Sequence, residues 1–243
     1  MPGKYKIGCS GYYYPAWRNK FYPEGLKPKD WLHYYSTVFN TVELNGTFYR
    51  VPKLSDLKKY AQNTPDDFTF SVKMNKTITH LKKLNDCKTL IKEFQDLIED
   101  GLLEKSAYFL FQMPPSFHYN EENLDRVLEL LPGNTKNVLE VRHASWWDND
   151  AETILKKNKI TLCNVDFPGL NSHFTKTTSE FYLRLHGNPE LFKSSYSNEE
   201  LEDFFEKFPA KCKHYTIYFN NTYYDAGYKN AKELMKIIET KNA

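Results

Sequence analysis

Carboxylate and histidine side chains at the ends of short apolar runs give this sequence the residue types needed for general acid/base chemistry. Glu140 and His186 are the candidate acid and base, because histidine titrates near neutrality and a carboxylate among mixed charges can be tuned by its neighbours. Glu43 lies near the end of another such run and is the third candidate for a catalytic role. The alternative for His186, which precedes a glycine, is that it only caps a loop.

Three cations occupy similar positions, and they indicate that the substrate carries negative charge. They are Lys73, Arg142 and Arg184. The planar fork of an arginine matches the geometry of a carboxylate or a phosphate. The alternative is a structural network in which the two arginines pair with Glu43, Glu140 and Asp166. Because taking each ion out of water costs several kcal/mol that pairing only partly returns, such a network adds little stability, and a functional pocket is favoured.

Amide and aromatic side chains complete the set of predicted ligand contacts. The predicted substrate-binding residues are Lys73, Gln112, Arg142, Asp166, Arg184, Asn220, Tyr49 and Trp146. Tyr49 and Trp146 fall in or near predicted loops, where their aromatic faces would stack on a sugar or a base.

A divalent metal is an alternative occupant of the same positions. Glu43, Glu140, Asp166 and His186 form a set of oxygen and nitrogen ligands of the kind used by metal-dependent barrel isomerases and nucleases. Their spacing is not diagnostic of a metal. The neighbouring cations favour a positively charged pocket without a metal over a metal site.

The elements that must position these residues are short runs rich in β-branched and aromatic residues, which recur between helix-like segments. Eight strands are predicted, at residues 5–9, 41–44, 69–73, 107–111, 137–141, 161–165, 181–185 and 215–219. Amphipathic stretches predict helices at residues 29–38, 54–63, 90–98, 121–131, 151–157, 198–208 and 228–238. Ser55 and Asn120 are predicted N-caps, and residues 197–200 resemble a capping box.

This alternation is a βα unit repeated eight times, and it predicts an α/β protein with a parallel sheet. Such a sheet is either closed into a barrel or open and doubly wound. The count of eight strands favours closure, and residues 8–11 are too short for the glycine-rich phosphate turn of an open dinucleotide-binding sheet. No linker rich in Pro, Gly or Ser interrupts the chain. We therefore predict a single (β/α)8 TIM-barrel domain over residues 1–243.

Side-chain alternation along each strand predicts which residues point the same way. In the second strand Thr41, Glu43 and Asn45 share one face, and in the sixth Asn164 and Asp166 do. The helix-facing surface of a barrel is apolar, so these polar sets are expected to point inward and to converge at the carboxyl ends, where barrel active sites are built. The residues expected around one pocket are Glu43, Lys73, Gln112, Glu140, Arg142, Asp166, Arg184, His186 and Asn220.

The composition of the 243 residues bounds the class of protein. Hydrophobic residues make up 40% of the chain and aromatic residues 16%, which is enough for a folded core and argues against disorder. Lys and Arg total 33 against 31 Asp and Glu, so the formal charge of +2 creates no field that would attract nucleic acid or a membrane.

The cysteines and the amino terminus bear on the compartment. The four cysteines are far apart and form no CxxC pair, which argues against a zinc knuckle or a disulfide framework and favours a reducing cytoplasm. Residues 1–11 lack the apolar stretch of a signal peptide, and no run approaches the roughly 18 apolar residues of a membrane span. We therefore expect a soluble, cytoplasmic protein without a membrane partner.

Conspicuous motifs are spread over nearly the whole chain. They are residues 7–12 (IGCSGY) with Trp17, 21–23 (FYP), 39–50 (FNTVELNGTFYR), 70–73 (FSVK) with 79–80 (TH), 111–117 (FQMPPSF), 140–143 (EVRH) with 145–146 (SW), 182–187 (YLRLHG) and 218–221 (YFNN). In these motifs the sequence resembles the YecE-like family, known as domain of unknown function 72. The resemblance implies a TIM barrel but no reaction, and a likeness to sugar isomerases is one of fold alone.

Two motifs depart from the family pattern. Members typically carry Gly-Arg-Tyr-Ser after the histidine-glycine pair, whereas residues 194–197 here read SSYS and lack the arginine. If that arginine holds an anion in the family, this chain binds the anion differently. The usual Asn-Ser-Thr is replaced by NGT at residues 45–47, which is a milder change.

The leading hypothesis is a hydrolase or isomerase that acts on a small anionic or sugar-like substrate at the carboxyl-end mouth. Lys73, Arg142 and Arg184 would bind charge while Glu140 and His186 move protons. One alternative is a non-catalytic module that holds an anion or, less favoured, nucleic acid at the same mouth. Another is a divalent-metal-dependent isomerase or hydrolase. The sequence identifies no cofactor, oligomeric state or particular substrate.

Overall fold

The predicted barrel is confirmed by a computed structural model, which describes residues 4–147, 150–170 and 173–241. Its eight parallel strands are β1 (Tyr5–Cys9), β2 (Thr41–Leu44), β3 (Thr69–Lys73), β4 (Ser106–Gln112), β5 (Asn137–Glu140), β6 (Thr161–Asp166), β7 (Glu180–Leu185) and β8 (His214–Phe219). Every predicted strand is confirmed to within a residue at either end. The ends of the predicted domain, residues 1–3 and 242–243, lie outside the described residues.

The helices of the described residues surround the strands. They are α1 (Trp31–Val38), α2 (Gly46–Tyr49), α3 (Leu54–Gln62), α4 (Lys88–Leu102), α5 (Glu121–Leu130), α6 (Ala151–Lys157), α7 (Asn198–Glu206) and α8 (Ala226–Lys241). All seven predicted helices are present, and the short α2 was not predicted. None of the helices in the described ranges combines the length and apolar character needed to cross a bilayer.

The connection between β6 and β7 contradicts the prediction of eight complete βα units, because its described residues contain no helix. In place of a helix, an irregular segment packs Phe174 against Phe181 at the start of β7. The Asn164 side chain bonds this segment in both directions, donating to the Thr175 carbonyl over 3.1 Å and accepting from the Thr175 amide over 2.7 Å. A polar side chain of β6 therefore faces outward to satisfy the backbone of a loop.

Helix starts were predicted with mixed success. Asn120 caps α5 through a 2.8 Å hydrogen bond from the Asn123 amide, and Ser197 forms a complete capping box with Glu200 at α7. Ser55 as an N-cap is wrong, since α3 begins one residue earlier and Ser55 lies within the helix.

The barrel is closed between β1 and β2 by side chains, because these two strands do not pair directly. The Tyr35 hydroxyl of α1 accepts from the Cys9 amide over 2.7 Å and donates to the Thr41 carbonyl over 3.1 Å. The Asn40 carboxamide adds two hydrogen bonds to the β1 backbone. The strands approach so closely that a Cβ at Gly8 would lie 2.1 Å from the Thr41 oxygen. A glycine is therefore required at this seam.

The barrel interior is mixed in polarity, as side-chain alternation predicts. The buried interior residues that pack together are Leu110, Val138, Cys163, Val165, Tyr182 and Tyr218. The Tyr218 hydroxyl contacts the Thr41 and Ser71 hydroxyls at 2.6 and 2.8 Å. On β6, however, the predicted face is wrong, because Cys163 and Val165 point inward while Asn164 and Asp166 point outward.

Candidate functional site

Arg184 lies at the centre of the candidate site, near the carboxyl end of β7, and is only 1% exposed. Its Nε and Nη2 donate to Glu43 Oε1 over 3.1 and 2.7 Å, and its Nη1 donates to Glu140 Oε2 over 2.7 Å. Although burial alone would lower it, the charges of Glu140 and Glu43 raise the pKa of Arg184 above its usual value. One guanidinium thus bridges carboxylates from β2 and β5 across the barrel.

Glu43 is saturated with hydrogen bonds. Besides Arg184, its carboxylate accepts from the Ser10 hydroxyl of the β1 end and from the Tyr182 hydroxyl of β7, each over 2.7 Å. The side chain is fully buried. Four donors from two residues of β7 and one of the β1 end therefore fix this carboxylate, which suits a positioning role.

Glu140 is held between two arginines. Its Oε1 contacts Arg142 Nε in an ion pair, while its Oε2 accepts from Arg184. Burial alone would raise the pKa of Glu140, but the charges of Arg142 and Arg184 hold it well below its usual range. The carboxylate is therefore kept ionised rather than tuned towards neutrality.

His186 is fully buried beside this pair and is held as a neutral ring. Arg142 Nη2 lies 3.1 Å from its Nε2, and because an arginine only donates, Nε2 must accept. The ring proton is then on Nδ1, which lies 2.8 Å from the Asn220 side-chain nitrogen; because an amide nitrogen cannot accept, the carboxamide must turn its oxygen to Nδ1 to take this proton. Burial and the charge of Arg142 lower the pKa of His186 well below 6.5. The expectation that this histidine titrates near neutrality is therefore not met.

Lys73 is the cation of the site whose partner carries no charge. At the end of β3, its Nζ donates to Gln112 Oε1 over 2.7 Å and lies 4.3 Å from the centre of the Phe48 ring. Burial lowers the pKa of Lys73, and the positive charges of Arg184 and Arg142 lower it further. The carboxylates of Glu140 and Glu43 act in the opposite direction, and the resulting pKa is about 8. It is therefore the group of this cluster that changes charge near physiological pH.

These groups border a cavity of about 390 Å³ at the carboxyl ends of the strands. Its lining residues are Tyr14, Asn45, Phe48, Tyr49, Lys73, Gln112, Arg142, Arg184, Phe192, Asn220, Thr222 and Tyr223. Six predicted binding residues are among them, and Glu43, Glu140 and His186 are buried against the lining side chains. Tyr49 is 74% exposed and Tyr223 is 59% exposed, so their rings stand at the entrance.

Two predicted binding residues lie elsewhere. Trp146 is buried in the core, where its ring stacks on Phe117 and its indole nitrogen donates to the Phe117 carbonyl over 2.8 Å. Asp166 lines a separate cleft, where it accepts from the Tyr196 hydroxyl over 2.6 Å and from the Asn188 side chain. The prediction that Trp146 and Asp166 line this cavity is therefore wrong. The SSYS segment contributes Tyr196 to that separate cleft, and its Ser195 bonds Asn230.

The four residues considered as a metal set do not form one set of ligands. Asp166 is in the other cleft, and guanidinium groups occupy the carboxylates of Glu43 and Glu140. Across the described ranges, no group of three or more His, Cys, Asp or Glu side chains is arranged to hold a metal ion.

Several aromatic residues of the cavity were missed from the sequence. Phe48 precedes the predicted Tyr49 in the same motif, and its ring, rather than that of Tyr49, supports Lys73. Phe167 does not line the cavity but packs against Arg142, with its ring centre 4.1 Å from Arg142 Cζ; it follows β6 directly and was within reach of the strand-end argument. Phe192 and Tyr223 lie in loops without periodicity, so no sequence signal marked them.

A larger groove of about 590 Å³ adjoins the cavity and shares Tyr14 and Asn45 with it. Arg50, Lys53 and Asp56 also line this groove, so it has charged side chains of its own.

Comparisons with known proteins place this arrangement among related barrels. The family described as "Protein of unknown function DUF72" matches residues 6–243. The solved structure of a DUF72 family protein from Thermotoga maritima MSB8 is similar at 31% identity with a TM-score of 0.87, over 97% of this chain and 99% of that one.

Two curated relatives are also similar. The UPF0759 protein YecE of Escherichia coli (strain K12) is 33% identical over 122 residues, which are 50% of this chain and 44% of that protein. The aligned part thus spans less than half the length of that relative. The UPF0759 protein YunF of Bacillus subtilis (strain 168) is 24% identical over 268 residues, covering 96% of this chain and 94% of that protein.

Proposed function

The chain belongs to the DUF72 family, and we propose that it is an enzyme that acts on a small anionic, sugar-like substrate by acid/base chemistry at the carboxyl-end mouth of its barrel. The proposal comes from the charges and shape of the cavity, because the family carries no assigned reaction. An isomerisation or a hydrolysis fits a site of this kind, since both proceed by proton transfer.

The observation that carries the proposal is the unbalanced charge of Lys73. Two carboxylates, Glu43 and Glu140, are matched by two guanidinium groups, Arg142 and Arg184. Lys73 is left over and bonds only the neutral Gln112 among the described residues. An ammonium that is partly buried without a counter-ion is a favourable place for an anion to bind.

Arg142 supplies a second donor to the same anion. Its Nε and Nη2 are engaged by Glu140 and His186, whereas Nη1 has no hydrogen-bond partner within the ranges that the structure describes. Because Arg142 lines the cavity, its fork and the Lys73 ammonium together suit a carboxylate or phosphate group.

We assign proton transfer to Lys73 rather than to Glu140 or His186. The two buried groups have pKa values far below neutrality, whereas the pKa of Lys73 is about 8. Glu140 and His186 fix the orientation of Arg142 and so act as positioning residues. Tyr49, Phe192 and Tyr223 offer partly exposed rings on which the apolar face of a sugar can pack.

Isothermal titration calorimetry with inorganic phosphate, glycerol 3-phosphate and gluconate tests the binding part of this proposal. We expect Lys73→Met to weaken binding by about tenfold or more, while the exposed neighbour Lys76→Met leaves it unchanged. Affinity should fall as the pH rises through about 8, where Lys73 loses its charge. Failure of the unaltered chain to bind any of these anions would contradict the proposal.

Turnover is tested by a screen of phosphatase, glycosidase and isomerase substrates with the same two variants. A substrate that the chain converts and Lys73→Met does not convert supports the enzyme. Glu140→Gln and His186→Asn are expected to raise KM more than they lower kcat, because they loosen Arg142 rather than remove the proton-transfer group.

The exposed rings at the mouth favour one second candidate, a non-catalytic module that holds single-stranded nucleic acid. Tyr49, Tyr223 and Tyr224 are each more than half exposed, and base stacking on such rings is tolerant of sequence. A gel-shift assay with single-stranded RNA and DNA distinguishes this candidate, because binding to phosphates must weaken steeply with salt.

A further inference from the structure

Among the described side chains that line the cavity, the amine of Lys73 is the strongest candidate for a nucleophile. The nearby thiol of Cys163 lies inside the barrel behind Glu140, and burial raises its pKa well above the usual value. The Tyr14 hydroxyl donates to the Ser10 carbonyl over 2.5 Å. Among the described residues that line the cavity, Lys73 is the only primary amine.

We propose that the Lys73 amine forms a covalent imine with the carbonyl carbon of the substrate, so that the substrate class is a small anionic aldehyde or ketone. This inference rests on the proposed function and names the substrate class of the same site. Lys73 Nζ would attack the carbonyl carbon while Arg142 holds the anionic group of the substrate.

The partners of Lys73 leave its nitrogen able to react. Gln112 accepts one N–H over 2.7 Å through a neutral amide oxygen, which does not stabilise the ammonium as a carboxylate would. The Phe48 ring, 4.3 Å away, covers another side with an apolar surface. When the amine is neutral, its lone pair is free for a carbonyl carbon in the cavity.

The electrostatic surroundings also favour the neutral amine. Burial and the guanidinium groups of Arg184 and Arg142 lower the pKa of Lys73 to about 8. A lysine desolvated next to other cations is an arrangement that activates the amine for imine formation. At neutral pH its neutral fraction exceeds that of an exposed lysine on the order of a hundredfold.

The reaction balances without an oxidant or a reductant. The nitrogen lone pair forms the C–N bond, and the carbonyl π electrons move to the oxygen, which takes a proton. The carbinolamine then loses this oxygen as water: the C–O bond breaks and the nitrogen lone pair completes the C=N bond. The two hydrogens of the amine leave with the water. When it takes up a proton from solvent, the imine draws electrons from the adjacent carbon, so Lys73 here acts as an electron sink in place of the proton transfer assigned to its free amine.

Reductive trapping of the full chain tests the imine. The chain is incubated with pyruvate, glyoxylate or glyceraldehyde 3-phosphate and sodium cyanoborohydride, and the modified peptide is identified by mass spectrometry. We expect the reduced adduct on Lys73 to form at least tenfold faster than the adduct on exposed Lys76. The Lys73 rate should rise with pH and level off above about 8.

The variant Lys73→Arg separates this inference from the proposed function, because it keeps the positive charge but has no primary amine that forms an imine. We expect it to bind phosphate while showing no cavity adduct. Labelling that is no faster at Lys73 than at Lys76 would overturn the imine, whatever the variant does. If the unaltered chain still binds phosphate in that case, the proposed anion site is retained and only the imine is rejected. If the unaltered chain does not bind phosphate, both the anion site and the imine are rejected.

Discussion

The Lys73 amine donates to the Gln112 side-chain oxygen over 2.7 Å, and this acceptor carries no charge to balance the ammonium. Partly burying a cation beside a neutral amide lowers stability whenever the cation is protonated. The cavity therefore keeps a group that favours ligand binding but lowers the stability of the protein without ligand.

Lys73→Met is accordingly expected to stabilise the protein at neutral pH. The pKa of Lys73 is about 8 in the fold and 10.5 in the unfolded chain, so the unfolded chain binds the proton more tightly. The penalty is thus fully present below about pH 8 and disappears as the pH rises towards 10.5. We expect the free energy of unfolding to rise by about 1–3 kcal/mol at pH 7. Urea denaturation of the variant and of Lys76→Met measures this, and a loss of stability at pH 7 would contradict it.

Arg184→Met is expected to destabilise the protein strongly. Removing this guanidinium leaves two fully buried carboxylates, Glu43 and Glu140, facing each other without it. Breaking a buried ion pair in this way costs about 3–5 kcal/mol. The surface pair of Arg126 and Glu122 is the matched control, and Arg126→Met should cost less than about 1 kcal/mol. Adding Glu43→Gln to Arg184→Met should recover part of the loss in urea denaturation, and an unchanged midpoint for Arg184→Met alone would contradict the bridging role.

Acidification is expected to destabilise the fold through its neutral histidines. The pKa of His186 is well below 6.5 and that of His80 is about 4, in both cases first because of burial. Between these values and 6.5 the unfolded chain binds more protons, so stability is full above pH 6.5 and falls as the pH drops. We expect His186→Gln, which keeps a neutral acceptor for Arg142, to flatten the decline between about pH 6.5 and 5. His80→Gln measures the contribution of His80 in the same way. An equal dependence of the unfolding free energy on pH in the unaltered protein and in both variants would contradict a role of these histidines.

The sequence predicts the faces of most strands well, because alternation depends only on the backbone. Glu43, Lys73, Glu140 and Arg184 were all expected to point inward, and they do. The pairing among them was not predictable, since alternation gives a direction but no distance between strands. Arg142 and Arg184 both pair with carboxylates, as the alternative of a structural network predicts. Anion binding by these arginines stays a prediction, supported by the one donor of Arg142 that has no partner among the described residues.

The misplacement of Asp166 has a physical cause that does not apply to Trp146. The prediction assumed that an apolar helix follows every strand, but the described residues of the connection after β6 form an irregular segment. The backbone of that segment needs hydrogen bonds, which Asn164 supplies, and Asp166 bonds the Tyr196 hydroxyl on the same side. The polar residues of β6 thus face the irregular segment seen in the described part of this connection, and Asp166 lies outside the site.

Tyr35→Phe is expected to weaken the seam between β1 and β2. The lost hydroxyl would leave the buried Cys9 amide and Thr41 carbonyl without this bridge. An unsatisfied buried backbone group costs about 1–3 kcal/mol, so we expect a loss of that size in urea denaturation. Hydrogen exchange at the Cys9 amide should also accelerate. Tyr34→Phe on the same helix is the control, and equal effects of the two variants would contradict a specific role of the Tyr35 hydroxyl.

Gly8→Ala tests the same seam from the side of the strand. A Cβ at Gly8 would lie 2.1 Å from the Thr41 oxygen and 2.8 Å from the Tyr35 hydroxyl, and backbone atoms of two strands cannot move apart without breaking the bridge. We expect a loss of about 2 kcal/mol or more, because overpacking and a broken hydrogen bond add together. Gly46→Ala is the matched control, since a Cβ there meets nothing within 4 Å. Because Ser10, which follows Gly8 on the same face, donates to Glu43, we also expect Gly8→Ala to weaken phosphate binding in the cavity. Wild-type stability in Gly8→Ala would show that β1 and β2 are not held together by this close contact.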